Sequence, residues 1–418
     1  VTSAQRTSPH EGKPRLTILI GADTFWPEIN GAASFIARLA AGLVERGHDV
    51  HVAAPSYTNK KVGTFIEEHE GQKMTVHRIY SWRWYPHPWL RFSLPWRIKQ
   101  NSARILDAVK PDVIHFQSHI VIGRGMTIEA KKRGIRTIGT NHFMPENLLE
   151  YTLIIPPFLR EKAIQAAWNA ADRSFSRAER VTAPTQKAAE YLAANTSVND
   201  VLAISCGINA SNYTANMATD TDNLIVFLGR VVDEKQIDKL IKALAQLDPA
   251  LDAKLEIVGG GDQESHLKHL ASSLGVADRV TFAGYVDEAY LRDALTRAKV
   301  FAMPSIAELQ SISTMEAMAS GLPIVAADAM ALPHLVHDGE NGYLFEPGNV
   351  EELADRLTRV LTMPADELLA FKNESLRIVA AHDIERTLDT FESLYRGEVV
   401  AEGVGTPAKS RSAGEPPG

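Results

Sequence analysis

One cysteine, Cys206, stands in 418 residues. That excludes an intramolecular disulfide framework and a cysteine-rich metal site, and it suits a reducing cytoplasm. No apolar run approaches the length of a membrane-spanning helix, so none is expected. The first residues lack an apolar signal region, and residues 1–13 read as a polar leader. Positive charge is not in excess: 44 Lys and Arg against 51 Asp and Glu give a net charge of -7, which argues against a nucleic-acid binder. Acid is locally missing as well. Residues 71–106 contain no Asp or Glu, but they hold Lys73, Arg78, Arg83, Arg91, Arg97, Lys99 and Arg104, with Trp82, Trp84, Trp89, Trp96, Tyr80, Tyr85 and Phe92 among them. Two readings of residues 80–99 stay open. Tryptophan and arginine together suit an anionic membrane surface, or the rings form local core under a loop and the arginines face water.

What is present is an alternation of strand and helix patterns. With 45% hydrophobic and 23% charged residues, a chain of this length reads as a soluble globular protein of two domains. Residues 15–21 (RLTILIG) form a buried-strand pattern, 33–46 an amphipathic helix stopped by Gly47, and 49–54 a second strand. This is a βαβ unit with an Asn30-Gly31 turn where an anion could approach the backbone. Further strand patterns lie at 112–117 and 135–142, placing His142 at a strand's carboxyl end, where open α/β sheets bind ligands. His115 and His119 read as structural. Residues 144–157 read as a loop or lid and 181–185 as the last strand of this half, and the polar stretch 211–222 reads as a linker. The alternation then repeats through 224–230, 255–258, 280–286 and 299–303. Two Rossmann-like domains facing one cleft are expected, at 14–205 and 206–383. A helix within 384–400 crosses back to the first, and 1–13 and 401–418 are expected to be disordered.

The most informative stretch is 301–325, FAMPSIAELQSISTMEAMASGLPIV. A short strand meets a proline-stopped loop, and a helix opens near 311–313. Glu308 lies in the loop and Glu316 about one turn into the helix. Between them Ser311, Ile312 and Ser313 offer backbone N–H groups without intrahelical partners, at the positive end of the helix dipole. Two hydroxyl-binding carboxylates thus flank a phosphate site.

This segment, with the following EAMASGLPIVAAD and the later HDGENGYLFEPGN, resembles the E-x7-E signature of the retaining glycosyltransferases of family 4, and the likeness extends over roughly residues 15–398. The resemblance implies a GT-B fold and a hexosyltransferase that uses a nucleotide-diphosphate sugar and no metal or other cofactor. It places Gly31 and Ala32 in the glycine loop facing the donor diphosphate, although the family usually has a second glycine where Ala32 stands. Arg230 and Lys235 would neutralise that diphosphate, Glu308 would hold sugar hydroxyls, and Glu316 the ribose. His142 would contact the transferred sugar, Ser311 and Ile312 the phosphates, and Gly284, Tyr285 and Val286 the nucleobase edge. Ser311 and Gln236 stand where the family more often has glycine. Cys206 reads as a small residue near the cleft.

The expected acceptor is a hydroxyl of a membrane lipid or glycolipid, which implies glycolipid biosynthesis by a protein peripheral to the inner face of the plasma membrane. Transfer to a soluble sugar or polyol phosphate, and a non-catalytic nucleotide-sugar sensor, remain alternatives. UDP-glucose and GDP-mannose stay equally open as donors, and oligomeric state is not legible. A nicotinamide dehydrogenase is excluded, because Ala22-Asp23-Thr24 after the first strand supplies no G-x-G-x-x-G.

Overall fold

The computed structural model describes residues 13–28, 30–83, 91–145 and 156–400. The expected tails other than Lys13, residues 84–90 of the Trp/Arg stretch and most of the expected 144–157 lid lie outside the described residues. The first sheet has eight strands. They are β1 (Thr17–Gly21), β2 (Asp49–Pro55), β3 (Gly63–His69), β4 (Gln72–Ile79), β7 (Val113–Phe116), β8 (Arg136–Thr140), β9 (Arg180–Ala183) and β10 (Val201–Ala203), and β5 (Ser81–Arg83) and β6 (Arg91–Ser93) form a separate hairpin. The spatial order is β10-β9-β8-β7-β1-β2-β4-β3. All neighbours are parallel except β3 with β4. The central strands, such as Ile18-Leu19-Ile20, are apolar on both faces because helices cover both.

Two strands depart from expectation. β3 makes an antiparallel hairpin with β4 through Glu70 and Gly71, both at positive φ (49° and 75°), and its alternating exposure is that of an edge strand. β10 pairs with β9, so 181–185 is not the last strand of this half. At three residues, β10 is too short to carry a periodic signal.

The second sheet contains β11 (Leu224–Leu228), β12 (Lys254–Val258), β13 (Val280–Gly284), β14 (Val300–Met303), β15 (Ile324–Ala327) and β16 (Gly342–Phe345), in the order β13-β12-β11-β14-β15-β16. Its apolar core extends into flanking helices that include Ile237–Gln246 and Val350–Leu361.

The connections between the two halves lie side by side. Ile208 N–H donates to His382 O at 2.9 Å, and Ile384 N–H donates to Ile208 O at 3.0 Å. The helix Ile384–Arg396 then packs on the first sheet's layer through Leu388, Phe391 and Leu394. It crosses the helix Gly31–Glu45 so closely that a Cβ on Gly42 would stand 2.5 Å from Leu388 Cδ1. The 211–222 segment is bound to the second half rather than free. Asn216 donates from its backbone to Ser320 O and from Nδ2 to Thr296 O, and its carbonyl accepts from the buried Lys372 Nζ at 2.7 Å.

Candidate active site

Two helices begin at the cleft, one from each half. Asn30 caps Gly31–Glu45, its Oδ1 accepting from Ala33 N–H at 2.9 Å. Ser311 caps Ile312–Ala319, its Oγ accepting from Thr314 N–H at 3.4 Å and from the Thr314 hydroxyl at 2.8 Å. The caps leave the first two N–H groups of each helix, at Gly31 and Ala32 and at Ile312 and Ser313, without hydrogen-bond partners among the described residues. The helix starts almost touch: a Cβ on Gly31 would lie 3.7 Å from Ile312 Cδ1. Two positive dipole ends therefore open onto one cavity of about 210 Å³, which is also lined by His142, Cys206, Arg230, Lys235 and Glu308.

The charges in this cavity are held from several elements. Arg230 follows β11 and pairs with Glu234 at 2.7 Å. Lys235 closes the next turn, its Nζ hydrogen-bonded to Glu308 Oε1. Gln236, immediately after it, adopts a left-handed φ of 48°, the conformation that accounts for glycine being commoner there. The loop bearing Glu308 is tied to the opposite half: Thr185 Oγ1 donates to Leu309 O at 2.9 Å, and Gln310 Oε1 accepts from Cys206 N–H at 2.7 Å. Gln310 Nε2 also donates to Ser205 Oγ, which hydrogen-bonds to His382 Nδ1, so the loop and the interdomain connections share one buried polar network.

His142 lies at the end of β8 with its ring against Phe35. Its Nε2 donates to Gln117 Oε1 at 2.8 Å, which leaves Nδ1 as an acceptor. Burial pushes its pKa down to about 3, so it is neutral at physiological pH. His115 is wholly buried between Tyr395 and Thr140 and outside the cavity, in keeping with a structural part. Cys206 lines the cavity, and burial pushes its thiol up to about 12, which keeps it protonated and inert.

Other expected residues are not gathered here. Glu316 is absent from the cavity lining and instead pairs with Arg38 of the first half at 2.9 Å. Ser311 is buried, and its hydroxyl is used in capping. Tyr285 lines a second, adjoining cavity, Gly284 supports the turn at φ 68°, and Val286 packs against the second core.

Sequence reasoning missed three contributors. Asp23 supplies the cap that the helix Ile122–Arg133 lacks, accepting from Ile122 N–H at 2.7 Å and from the Ser118 hydroxyl. Glu28 lines both cavities, with Oε2 accepting from Thr24 at 2.6 Å. Gln117 orients His142. None carries a local sequence signal beyond its place after a strand.

Residues 29–212 match the family model described as Glycosyltransferase Family 4, and residues 213–376 match Glycosyl transferases group 1. The chain belongs to the family 4 glycosyltransferases, with the GT-B fold. A GDP-mannose-dependent alpha-mannosyltransferase of Mycolicibacterium smegmatis is 28% identical to it over 347 residues, 80% of this chain and 86% of that one. An alpha-monoglucosyldiacylglycerol synthase of Acholeplasma laidlawii is 24% identical over 366 residues, 84% of this chain and 89% of that one. The structure of Anabaena HepE in complex with UDP-glucose shares the fold at a TM-score of 0.70 and 18% identity, covering 92% of this chain and 100% of that one.

Proposed function

We propose that this glycosyltransferase moves a hexose from a nucleotide-diphosphate sugar to a hydroxyl of a membrane lipid or glycolipid, with retention of configuration and without a metal ion. One observation carries the donor half: two helix starts with unsatisfied N–H groups converge with Arg230 and Lys235 on the cavity that holds Glu308. Fixed donors and charges of this kind stabilise negative charge that develops on a departing diphosphate. The bond from the anomeric carbon to the phosphate oxygen breaks, the acceptor oxygen bonds to that carbon on the same face, and the hydroxyl proton passes to the departing phosphate. Glu308 and His142 Nδ1 receive sugar hydroxyls. Glu316 receives the ribose hydroxyls next to its ion pair with Arg38, and the turn at Gly284, Tyr285 and Val286 meets the base edge.

The relatives support both halves of the reading. The Anabaena structure holds UDP-glucose, the Mycolicibacterium enzyme is named for GDP-mannose, and the Acholeplasma enzyme is named as a diacylglycerol glycolipid synthase. Trp82 and Trp96, 59% and 73% exposed, support attachment to an anionic membrane surface on the acceptor side. No described helix is long and apolar enough to cross a membrane.

The test is transfer of radiolabel from a panel of nucleotide sugars, with bacterial lipid vesicles and a chelator present, counting organic and aqueous phases separately. Label in the organic phase is expected, and NMR of the product gives its anomeric configuration. Label in an aqueous product resolved chromatographically from the donor, with none in the organic phase, assigns a soluble acceptor. No labelled product from any donor leaves a nucleotide-sugar sensor.

A further inference from the structure

The loop that carries Glu308 is held from both halves, and the changeover falls at Glu308 itself. Up to that residue its ties are to the second half. Ile306 N–H donates to Glu234 O at 3.1 Å, Glu308 O accepts from Ala331 N–H at 3.1 Å, and the Glu308 carboxylate meets Lys235 Nζ. The next two residues turn to the first half. Leu309 O accepts from the Thr185 hydroxyl at 2.9 Å, and the Leu309 side chain packs against the cluster of Ala183, Ala188 and Ala189, from the end of β9 and the helix Gln186–Asn195. Gln310 then sends its amide into the segment that joins the halves.

The chemistry of the partners fixes which way that amide points. Cys206 N–H can only donate, so the amide oxygen faces it, at 2.7 Å, and Nε2 is left to donate to Ser205 Oγ at 2.8 Å. Ser205 Oγ also accepts from Gly207 N–H at 3.1 Å, which fills both its lone pairs, and its own proton goes to His382 Nδ1 at 2.8 Å. Ser205 is wholly buried, and its carbonyl accepts from the Thr387 hydroxyl at 2.9 Å. A buried hydroxyl with no spare donor or acceptor holds Gln310 in one place, because a shift of the amide would orphan polar groups away from water.

What this anchor does follows from what stands on either side of it. Glu308 comes from the second half and His142 from the first, and both line the transfer cavity. Arg230, Lys235 and Ile312, given above to the diphosphate, all belong to the second half, and the helix start that follows Gln310 keeps its own cap between Ser311 and Thr314. We propose, building on the glycosyl-transfer reading above, that Gln310 is a positioning residue: by tying the Glu308 loop to the first half, it sets the Glu308 carboxylate in register with His142 around the sugar. It acts through Glu308 and leaves the hold on the nucleotide unchanged. A sugar gripped by groups on two separate halves is aligned only as well as the halves are, and a misplacement of about 1 Å costs on the order of 10² in rate.

The test replaces Gln310 by methionine, which keeps the length of the side chain and removes its amide. Turnover of radiolabelled UDP-glucose and GDP-mannose is counted as all labelled products other than the donor, with bacterial lipid vesicles present, so that it does not depend on which acceptor is used. Titration calorimetry with UDP and GDP gives the nucleotide Kd, and its stoichiometry gives the fraction of folded sites by which each kcat is divided. Gln310→Met is expected to lower kcat about 10²-fold, with the nucleotide Kd unchanged within about twofold. Ser205→Ala, which withdraws the acceptor of Nε2, is expected to show the same split between kcat and Kd. In a Glu308→Ala background, Gln310→Met is expected to change kcat by less than about twofold, because the group it positions is gone. A kcat within about threefold of wild type for both Gln310→Met and Ser205→Ala overturns the proposal. An equal loss of kcat with and without Glu308, or a nucleotide Kd that weakens as much as kcat falls, overturns it as well. Wild-type protein that binds a nucleotide and turns over no donor overturns the glycosyl-transfer reading, and this proposal with it.

Discussion

Replacing Glu392 by alanine tests how the last helix is held to the first domain. The carboxylate is 4% exposed and accepts from Arg46 Nη1 at 2.7 Å, His48 Nε2 at 2.8 Å and Arg396 Nη2 at 3.4 Å. His48 Nδ1 accepts from Leu16 N–H at 3.1 Å, so Nε2 carries a proton that needs an acceptor. Breaking a buried pair by removing one partner costs about 3–5 kcal/mol. Arg46 keeps Glu385 at 2.6 Å and Asp389 at 2.8 Å, which places the loss near the lower end, at about 3 kcal/mol. The control is Glu385→Ala, which touches the same arginine with a carboxylate that is 61% exposed and is worth at most about 1 kcal/mol. In a domain of this size each kcal/mol moves the melting transition by about 2–4 °C, so Glu392→Ala should lower it by roughly 6–12 °C and Glu385→Ala by less than about 4 °C. Differential scanning calorimetry of the two variants reads this directly. Equal shifts would falsify the claim that a buried network docks the helix.

Lys235→Ala should cut kcat for transfer by about 10²–10³-fold, the usual loss when one stabiliser of developing charge is removed, and steady-state kinetics at saturating donor check this. Gly259 sits at φ 123° with its would-be Cβ 2.0 Å from Gly229 O, so Gly259→Ala must displace the turn that carries Arg230; a raised donor KM together with a lower melting temperature is expected. His115, His142 and His382 are buried with pKa values pushed down to about 3, so between about pH 6.5 and pH 3 the unfolded chain binds protons that the folded chain does not. Their contribution to stability is complete above pH 6.5 and falls with acid by up to roughly 4 kcal/mol per pH unit for the three, a loss that melting curves at pH 5 and pH 7 would expose. Replacing Trp82 and Trp96 with serine should weaken binding to anionic vesicles at least about tenfold, and unchanged cosedimentation would return these rings to a purely local part.

Much of this architecture is legible along the chain. The buried strands announce themselves as short apolar runs and the helices by their 3.6-residue period, because both patterns are set by residues within one or two turns of each other. The helix start at Ser311, the loop carboxylate Glu308, the turn bearing Arg230 and Lys235, and the strand end bearing His142 follow from the same local rules, and the resemblance adds their grouping. The β3–β4 hairpin was missed because β3, GTFIEEH, sets Phe65 beside Ile66 and Glu67 beside Glu68 with no apolar–polar alternation, and because it turns on a non-glycine residue at positive φ. β10 was missed because three residues carry no period.

Other features depend on distance in space. Glu316 pairs with Arg38, 278 positions away, and His48 with Glu392, 344 positions away. Gln310 reaches the interdomain connections, and Glu28 reaches the boundary of two cavities, only because the halves close face to face. Local periodicity specifies which elements form and which residues end them at the cleft. Which charges meet across that cleft depends on the packing of the two halves, since an electrostatic partner is chosen by distance in space and carries no signature in the residues beside it.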